Sequence, residues 1–273
     1  MILFPNAKIN LGLNIIEKRA DGYHNIETVM YPLNWCDILE IVPCDDDTTL
    51  TVSGRHVDCL PEKNLVMKAY KLFQAETGIG NVKIFLHKII PDGAGLGGGS
   101  ADAAFTFIGL NEIFSCGKSR EQLAAMASKI GADCPFFIYN EPCLATGIGI
   151  DIKPIEMSLK GTAIVVAKPQ VSVPTAKAYA GVMPHPADRN LAESLTQPVT
   201  CWNGIVKNDF ETSVFPSYPE IEATKQTMIE IGACYAAMSG SGSAVFGLFE
   251  KCDILAEDIK KRFPNCDTFI GVL

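Results

Sequence analysis

Apolar and polar residues alternate in "KINLGLNII", where Ile9, Leu11, Leu13 and Ile15 stand against Lys8, Asn10, Gly12 and Asn14. A period of two predicts a strand and sets Lys8 and Asn10 on one face. That face opens to solvent or to a cleft, because a lysine and two asparagines without partners are costly to bury. After "RADGYHN", whose Asp21-Gly22 suits a tight reversal, "IETVMYPL", "DILEIV" and "TTLTVSG" read as short strands. The first sixty residues therefore predict an antiparallel sheet. The period changes after Asn64, a residue suited to an N-cap, where Val66, Ala69, Tyr70 and Phe73 recur at helical spacing and stop before Gly78. "NVKIFLHKII" returns to strand.

A glycine-rich loop follows, and then two helices in succession. The first runs from Ser100 with Ala103, Phe107, Leu110 and Phe114 on one face. The second opens on a capping box, Ser119 with Gln122, carries Leu123, Met126, Ala127 and Ile130, and stops at Gly131. From about residue 150 the pattern restarts with strand "TAIVVAK", a helix-like "TAKAYAGV", helix "PEIEATKQTMIEIG", strand "AVFGLF", helix "DILAEDIKKRF" and strand "TFIGVL". The expected fold class is α+β in two domains, residues 1–152 and 153–273. No strict repeat points to a solenoid.

At 273 residues and 48% hydrophobic content the chain can bury substantial cores. Its net charge of -8 opposes nucleic acid as a partner, since polyanion binding draws on clustered Lys and Arg. A small anion needs only a few local donors. The ten cysteines form no CxxC pair and stand apart from the four histidines, so they read as reduced thiols of a cytoplasmic protein rather than metal ligands. The opening "MILFPNAKINLGLN" is broken by proline, lysine and asparagine, so it reads as neither signal peptide nor membrane span.

"IPDGAGLGGGSADAA", residues 90 to 104, holds five glycines between a strand and a helix. Gly93, Gly95 and Gly98 satisfy GxGxxG, yet a dinucleotide fold requires return to a parallel strand, and here a second helix comes next. A Walker A loop needs a lysine before its serine, and Gly99 precedes Ser100. A plain hinge rarely sits so tightly between strand and helix. A phosphate cradle fits best, because glycine allows close backbone approach and the first helical N–H groups are free to converge on an anion. Several charge-assisted hydrogen bonds of about 1.5 to 3 kcal/mol each would supply the affinity. Asp102 suits the helix dipole but would repel a phosphate if aimed inward, so it is expected to point aside.

"PDGAGLGGGSADAA" resembles the phosphate loop of the small-molecule kinases that include galactokinase, homoserine kinase, mevalonate kinase and phosphomevalonate kinase. "NAKINLGLNI" with "RADGYHNIETVM", "GADCPFF" and "MSGSGSAVFGLF" extend the resemblance, in order, over nearly the whole chain. The resemblance implies a two-domain kinase fold whose N-terminal domain binds ATP, with Mg²⁺ on the phosphates and no protein ligand for the metal assigned. It implies transfer of the γ-phosphate to the 2-hydroxyl of a cytidine diphosphate-linked methylerythritol in the non-mevalonate isoprenoid route. Lys8, Asn10 and Asp133 would form the catalytic group. Gly95, Gly97, Gly98, Gly99, Ser100 and Ala101 would hold ATP, with Asn64 and Lys88 near the adenine. Tyr23, His24, Thr175 and Tyr179 would meet the cytidine end, and Gly240, Ser241 and Gly242 would complete the substrate side by closing over the phosphates. A sibling kinase acting on mevalonate, homoserine or a sugar, and a nucleotide sensor without chemistry, are the alternatives. Oligomeric state stays open.

Overall fold

The computed structural model describes residues 1–57, 59–187, 189–250 and 256–273. Its strands are β1 (Ile2–Leu3), β2 (Asn6–Lys18), β3 (His24–Cys36), β4 (Ile38–Cys44), β5 (Thr49–Gly54), β6 (Asn81–Lys88), β7 (Cys143–Thr146), β8 (Asp151–Pro154), β9 (Ala163–Pro169), β10 (Tyr235–Met238), β11 (Val245–Phe249) and β12 (Cys266–Val272). Its α-helices are α1 (Leu65–Thr77), α2 (Gly98–Ile113), α3 (Arg120–Ala127), α4 (Cys134–Tyr139), α5 (Thr175–Ala180), α6 (Leu191–Ser194), α7 (Phe210–Val214), α8 (Pro219–Glu230) and α9 (Ala256–Arg262). The helix expected from Asp253 starts among residues outside the described set.

Two compact units emerge, and neither is continuous in sequence. The first joins Met1–Lys8, Trp35–Asp92 and Gly97–Glu141; the second joins Ile9–Asn34, Gly93–Leu96 and Pro142–Leu273. A cut at 152/153 follows the chain, whereas compactness assigns most of β2 and β3 to the second unit.

The first unit is a sheet in the order β1-β4-β6-β5, with α2 packed on β4 and α1 packed on α2. Asn64 caps α1, its side-chain oxygen accepting from Val66 N at 3.0 Å, and Gly78 closes it at φ +70°. The apolar stripe Val66, Ala69, Tyr70 and Phe73 is buried, with the Phe73 ring 6.1 Å from that of Phe107 on α2. The Ser119–Gln122 capping box forms at the head of α3 as its spacing predicts. The single antiparallel sheet expected for the first sixty residues does not form. β4 joins the first unit's sheet and β2 and β3 join another, while β5 pairs with β6 in parallel. The chain between β5 and β6 carries α1, and a helical crossover is what a parallel pair needs.

The second unit holds two sheets, β2-β3-β7-β8 and β10-β11-β9-β12. The latter is antiparallel throughout, and α8 packs on its strands β9, β10 and β11. Leu13, Ile15, Val165, Phe210, Ile221, Met228, Val245 and Phe263 are part of its core. Strand β2 is buried from Asn6 through Leu13 on both faces, so Lys8 and Asn10 do not look out at solvent.

Candidate active site

The glycine loop begins beyond β6 and ends at α2. Gly93, Gly95 and Gly97 take φ of +59°, +74° and +72°, a region that favours glycine. Gly97 is the N-cap of α2, and a Cβ there would come within 2.8 Å of the Phe137 ring and 3.2 Å of Lys8 Cγ. Helical bonding starts with Ala101 N donating to Gly97 O at 2.9 Å. The orphan donors at this terminus are thus the N–H groups of Gly98, Gly99 and Ser100, and the amide of Ala101, expected among the phosphate ligands, is engaged inside the helix.

Close to this terminus, within the same unit, Lys8 Nζ stands 3.4 Å from Asp133 Oδ2. The lysine side chain is 4% exposed and the carboxylate 36%. Asp133 precedes α4, a six-residue helix that the pattern of "CPFFIY" does not reveal, and its side chain makes no capping bond to that helix. It is therefore available to another donor. Two of the three expected catalytic residues are brought together in this way.

Lys88, expected near the adenine, is directed elsewhere. Its ammonium is buried and donates to Asp37 Oδ2 and, at 2.7 Å, to Asp102 Oδ2. Asp37 Oδ1 also accepts from Ile89 N at 2.5 Å and Ile90 N at 2.8 Å. Burial lowers the lysine's proton affinity, but the two carboxylates outweigh it and leave its pKa raised. Asp102 does not lie at the surface beside the loop; it is 2% exposed, beneath the first turns of α2. Asn64 engages its carbonyl oxygen in capping α1, as described above.

The second unit assembles another group. Asn10 N donates to Ser239 Oγ at 3.3 Å, and its Nδ2 donates to Thr28 Oγ1 at 3.0 Å. Ser239 Oγ in turn donates to Gly95 O at 2.9 Å. A Cβ on Gly95 would collide with the Ser239 carbonyl, so this part of the loop and the turn at Gly240, Ser241 and Gly242 fit only without a side chain. Asn208 holds that turn from below through bonds to Met238 O at 2.7 Å and Gly240 O at 2.8 Å. Asn208, Ser239 and Thr28 are not legible as site residues; Ser239 at the head of "SGSG" carries the one local signal. Thr175 Oγ1 lies 3.2 Å from Ser241 Oγ. The His24 and Tyr179 rings stack at 4.7 Å, Tyr179 meets Phe210 edge-on at 4.8 Å, and Tyr23 is 61% exposed. No base fits between His24 and Tyr179 at that spacing.

Known proteins resemble this chain along nearly its whole length. Residues 64–141 match the GHMP kinases N terminal domain and residues 192–265 the GHMP kinases C terminal domain. A 4-diphosphocytidyl-2-C-methyl-D-erythritol kinase of Parabacteroides distasonis is 53% identical over 273 residues, covering 100% of both chains. One of Bacteroides fragilis is 53% identical over 91% of this chain and 92% of its own. A crystal structure of 4-(cytidine 5'-diphospho)-2C-methyl-D-erythritol kinase superposes with a TM-score of 0.85 at 32% identity, covering 99% of this chain and 98% of the other. A homoserine kinase from Cytophaga hutchinsonii, at 18% identity and TM-score 0.68 over 98% and 94%, shares the fold. The chain belongs to the GHMP kinases and, among them, to the family of 4-diphosphocytidyl-2-C-methyl-D-erythritol kinases.

Proposed function

We propose that the chain transfers the γ-phosphoryl group of ATP to the 2-hydroxyl of 4-diphosphocytidyl-2-C-methyl-D-erythritol. The observation that carries this reading is the Lys8–Asp133 pair, a sheltered ammonium beside a carboxylate open to a substrate hydroxyl, in the unit that also presents the α2 terminus. Gly98, Gly99 and Ser100 are the donors for the phosphates, with Gly95 and Gly97 shaping the loop. Phosphoryl transfer through a loose transition state asks for alignment and charge neutralisation more than for a strong base. Asp133 accepts the hydrogen bond of the attacking hydroxyl and orients it. Lys8 offsets charge on the transferring group and faces the Asp133 carboxylate across 3.4 Å. Asn10, its amide fixed by Thr28 and its N–H by Ser239, is assigned a catalytic role of its own.

For the cytidine end we assign Tyr23, His24, Tyr179 and Thr175. Tyr23 offers an exposed ring, and a base that stacks on the Tyr179 face now covered by His24 displaces that imidazole first. Base stacking on one ring contributes roughly 1 to 3 kcal/mol. Mg²⁺ would come bound to the nucleotide phosphates and would offset their charge; among the described residues no group of three His, Cys, Asp or Glu stands together to hold an ion. A cytoplasmic setting suits this chemistry and the cysteines, of which the nine described are all free. No helix among the described residues is long and apolar enough to cross a membrane.

The test is a panel of alcohols offered with ATP and Mg²⁺, read by mass spectrometry for gain of one phosphoryl group. Phosphorylation of the cytidine diphosphate-linked alcohol in preference to mevalonate, homoserine and sugars is expected. Preference for one of those, or no ADP release with any, would overturn the assignment.

A further inference from the structure

Beneath the glycine loop lies a cluster that phosphoryl transfer as described above does not use. Asp37, between β3 and β4, Lys88, at the end of β6, and Asp102, on the second turn of α2, place two carboxyl groups and one ammonium in a single buried site. The cluster grips the loop at both ends. Asp37 Oδ1 takes the N–H groups of Ile89 and Ile90, where the chain leaves β6, and Lys88 ties Asp37 to Asp102, where the chain has entered α2. A Cβ on Gly98 would stand 3.4 Å from the Lys88 ammonium, which places the cluster directly under the orphan N–H groups.

Asp37 accepts three hydrogen bonds and keeps room for one more, since its two oxygens offer about four lone-pair sites. Asp102 differs, for its Oδ1 is buried with no hydrogen-bond partner. An ionised carboxylate in that state, beside a second carboxylate and only one ammonium, carries a large desolvation cost. A proton on Asp102 removes the excess charge and turns the orphan acceptor into a donor toward Asp37. Burial, opposed by Lys88 and reinforced by Asp37, lifts the proton affinity of Asp102 to a pKa of about 7. Among the described residues Lys88 and Asp37 are the charges acting on it; α1, α3, α4 and β4, which pack on α2, bring no other.

We propose that Asp37, Lys88 and Asp102 are the positioning residues of the phosphate loop, with Asp102 held as a neutral acid bridging Lys88 and Asp37, and that loss of its proton weakens nucleotide binding at the α2 terminus. This rests on the reading of the loop as the ATP phosphate site. Departure of the proton leaves an uncompensated negative charge below donors that must receive a polyanion.

Asp102→Asn is the decisive variant, because an amide copies the neutral acid: its oxygen accepts from Lys88 and its nitrogen donates to Asp37. Without nucleotide, the folded form of the parent binds a proton that the unfolded chain, with an ordinary aspartate pKa near 3.9, does not bind above about pH 4. Parent stability relative to Asp102→Asn therefore falls as pH rises from about 4 to about 7, and the difference levels off above that. With nucleotide, calorimetric ATP affinity of the parent is expected to weaken about tenfold relative to Asp102→Asn between pH 6 and pH 9, ATP's own titration being common to both. Asp102→Ala, which restores neither bond, is expected to melt below Asp102→Asn at every pH. Parallel melting curves for parent and Asp102→Asn from pH 4 to 9 would overturn the proposal. If those curves diverge as stated while Gly97→Val leaves ATP affinity intact, the proton stands and the loop reading fails, taking the nucleotide arm with it.

Discussion

The first unit contains two lysines paired with aspartate near one helix terminus, and they are built to opposite ends. Lys8 meets Asp133 at 3.4 Å, longer than a good ionic hydrogen bond, and the carboxylate is 36% exposed with no capping duty. Lys88 is clamped by Asp37 and Asp102 in a site closed to water. The first arrangement leaves a charge free to act on an incoming group. The second turns its charges on one another and acts through the backbone it holds. Contact quality and burial, rather than residue type, set the two pairs apart.

The comparison breaks most sharply through function. Asp133→Asn and Lys8→Met are expected to lower turnover by about two to four orders of magnitude, the range for removing a positioned acid-base or charge-stabilising group. Methionine is preferred to alanine because the Lys8 stem is buried against Gly97 and a truncation would add a cavity effect. Their melting temperatures should stay close to that of the parent. Turnover within tenfold of the parent in both variants would remove the catalytic assignment.

Lys88→Met should do the reverse. It leaves two buried carboxyl groups without their ammonium, a change that typically costs about 3 to 5 kcal/mol. Urea unfolding measures it, and a loss under about 1 kcal/mol would show that the clamp is not structural. Any fall in turnover at saturating ATP should track the folded fraction.

The two sites were unequally legible in the sequence. Lys8, Asp133 and the loop glycines sit in compact motifs, and a local motif is enough to nominate a phosphate cradle. Asp37 lies inside the plain strand run "WCDILEIV", and its partners are 51 and 65 positions further along; nothing local marks it. The two-sided burial of β2 escaped for the same reason, since the cost of an internal Asn10 is offset by Thr28 and Ser239 from remote segments. Helices with long apolar stripes, α1 and α2, were readable, α2 starting two residues earlier than Ser100 because Gly97 supplies the cap. The short β10, a four-residue strand "YAAM", and the six-residue α4 carry too few periods to be read.

Gly97→Ala probes the point where both sites meet the loop. The added methyl faces Phe137 and Lys8 at 2.8 and 3.2 Å and must adopt φ near +72°, so overpacking and backbone strain together are expected to cost about 1 to 3 kcal/mol. ATP affinity should fall as well, because the displaced N-cap moves the orphan donors. An alanine variant as stable as the parent with unchanged ATP binding would mean the loop is neither tight nor the phosphate site.

A third pair in the same unit supplies the control with the smallest effect. Lys83 meets Asp46 at 2.8 Å, shorter than Lys8 to Asp133, but both side chains are open to water, at 42% and 77%. If separation alone ranked these pairs, Asp46→Asn would cost more than Asp133→Asn in every assay. Its bond to Lys83 lowers the Asp46 pKa, so whatever it contributes is present above the unfolded value and disappears as pH falls through the folded one. High dielectric and salt screen such a pair almost completely. Asp46→Asn is therefore expected to melt within the scatter of the parent, with full turnover, and the residual difference should vanish in about 1 M salt. A shift that survives that salt would mean that exposure does not sort these pairs, and the distinction between the two buried lysines would lose its physical basis.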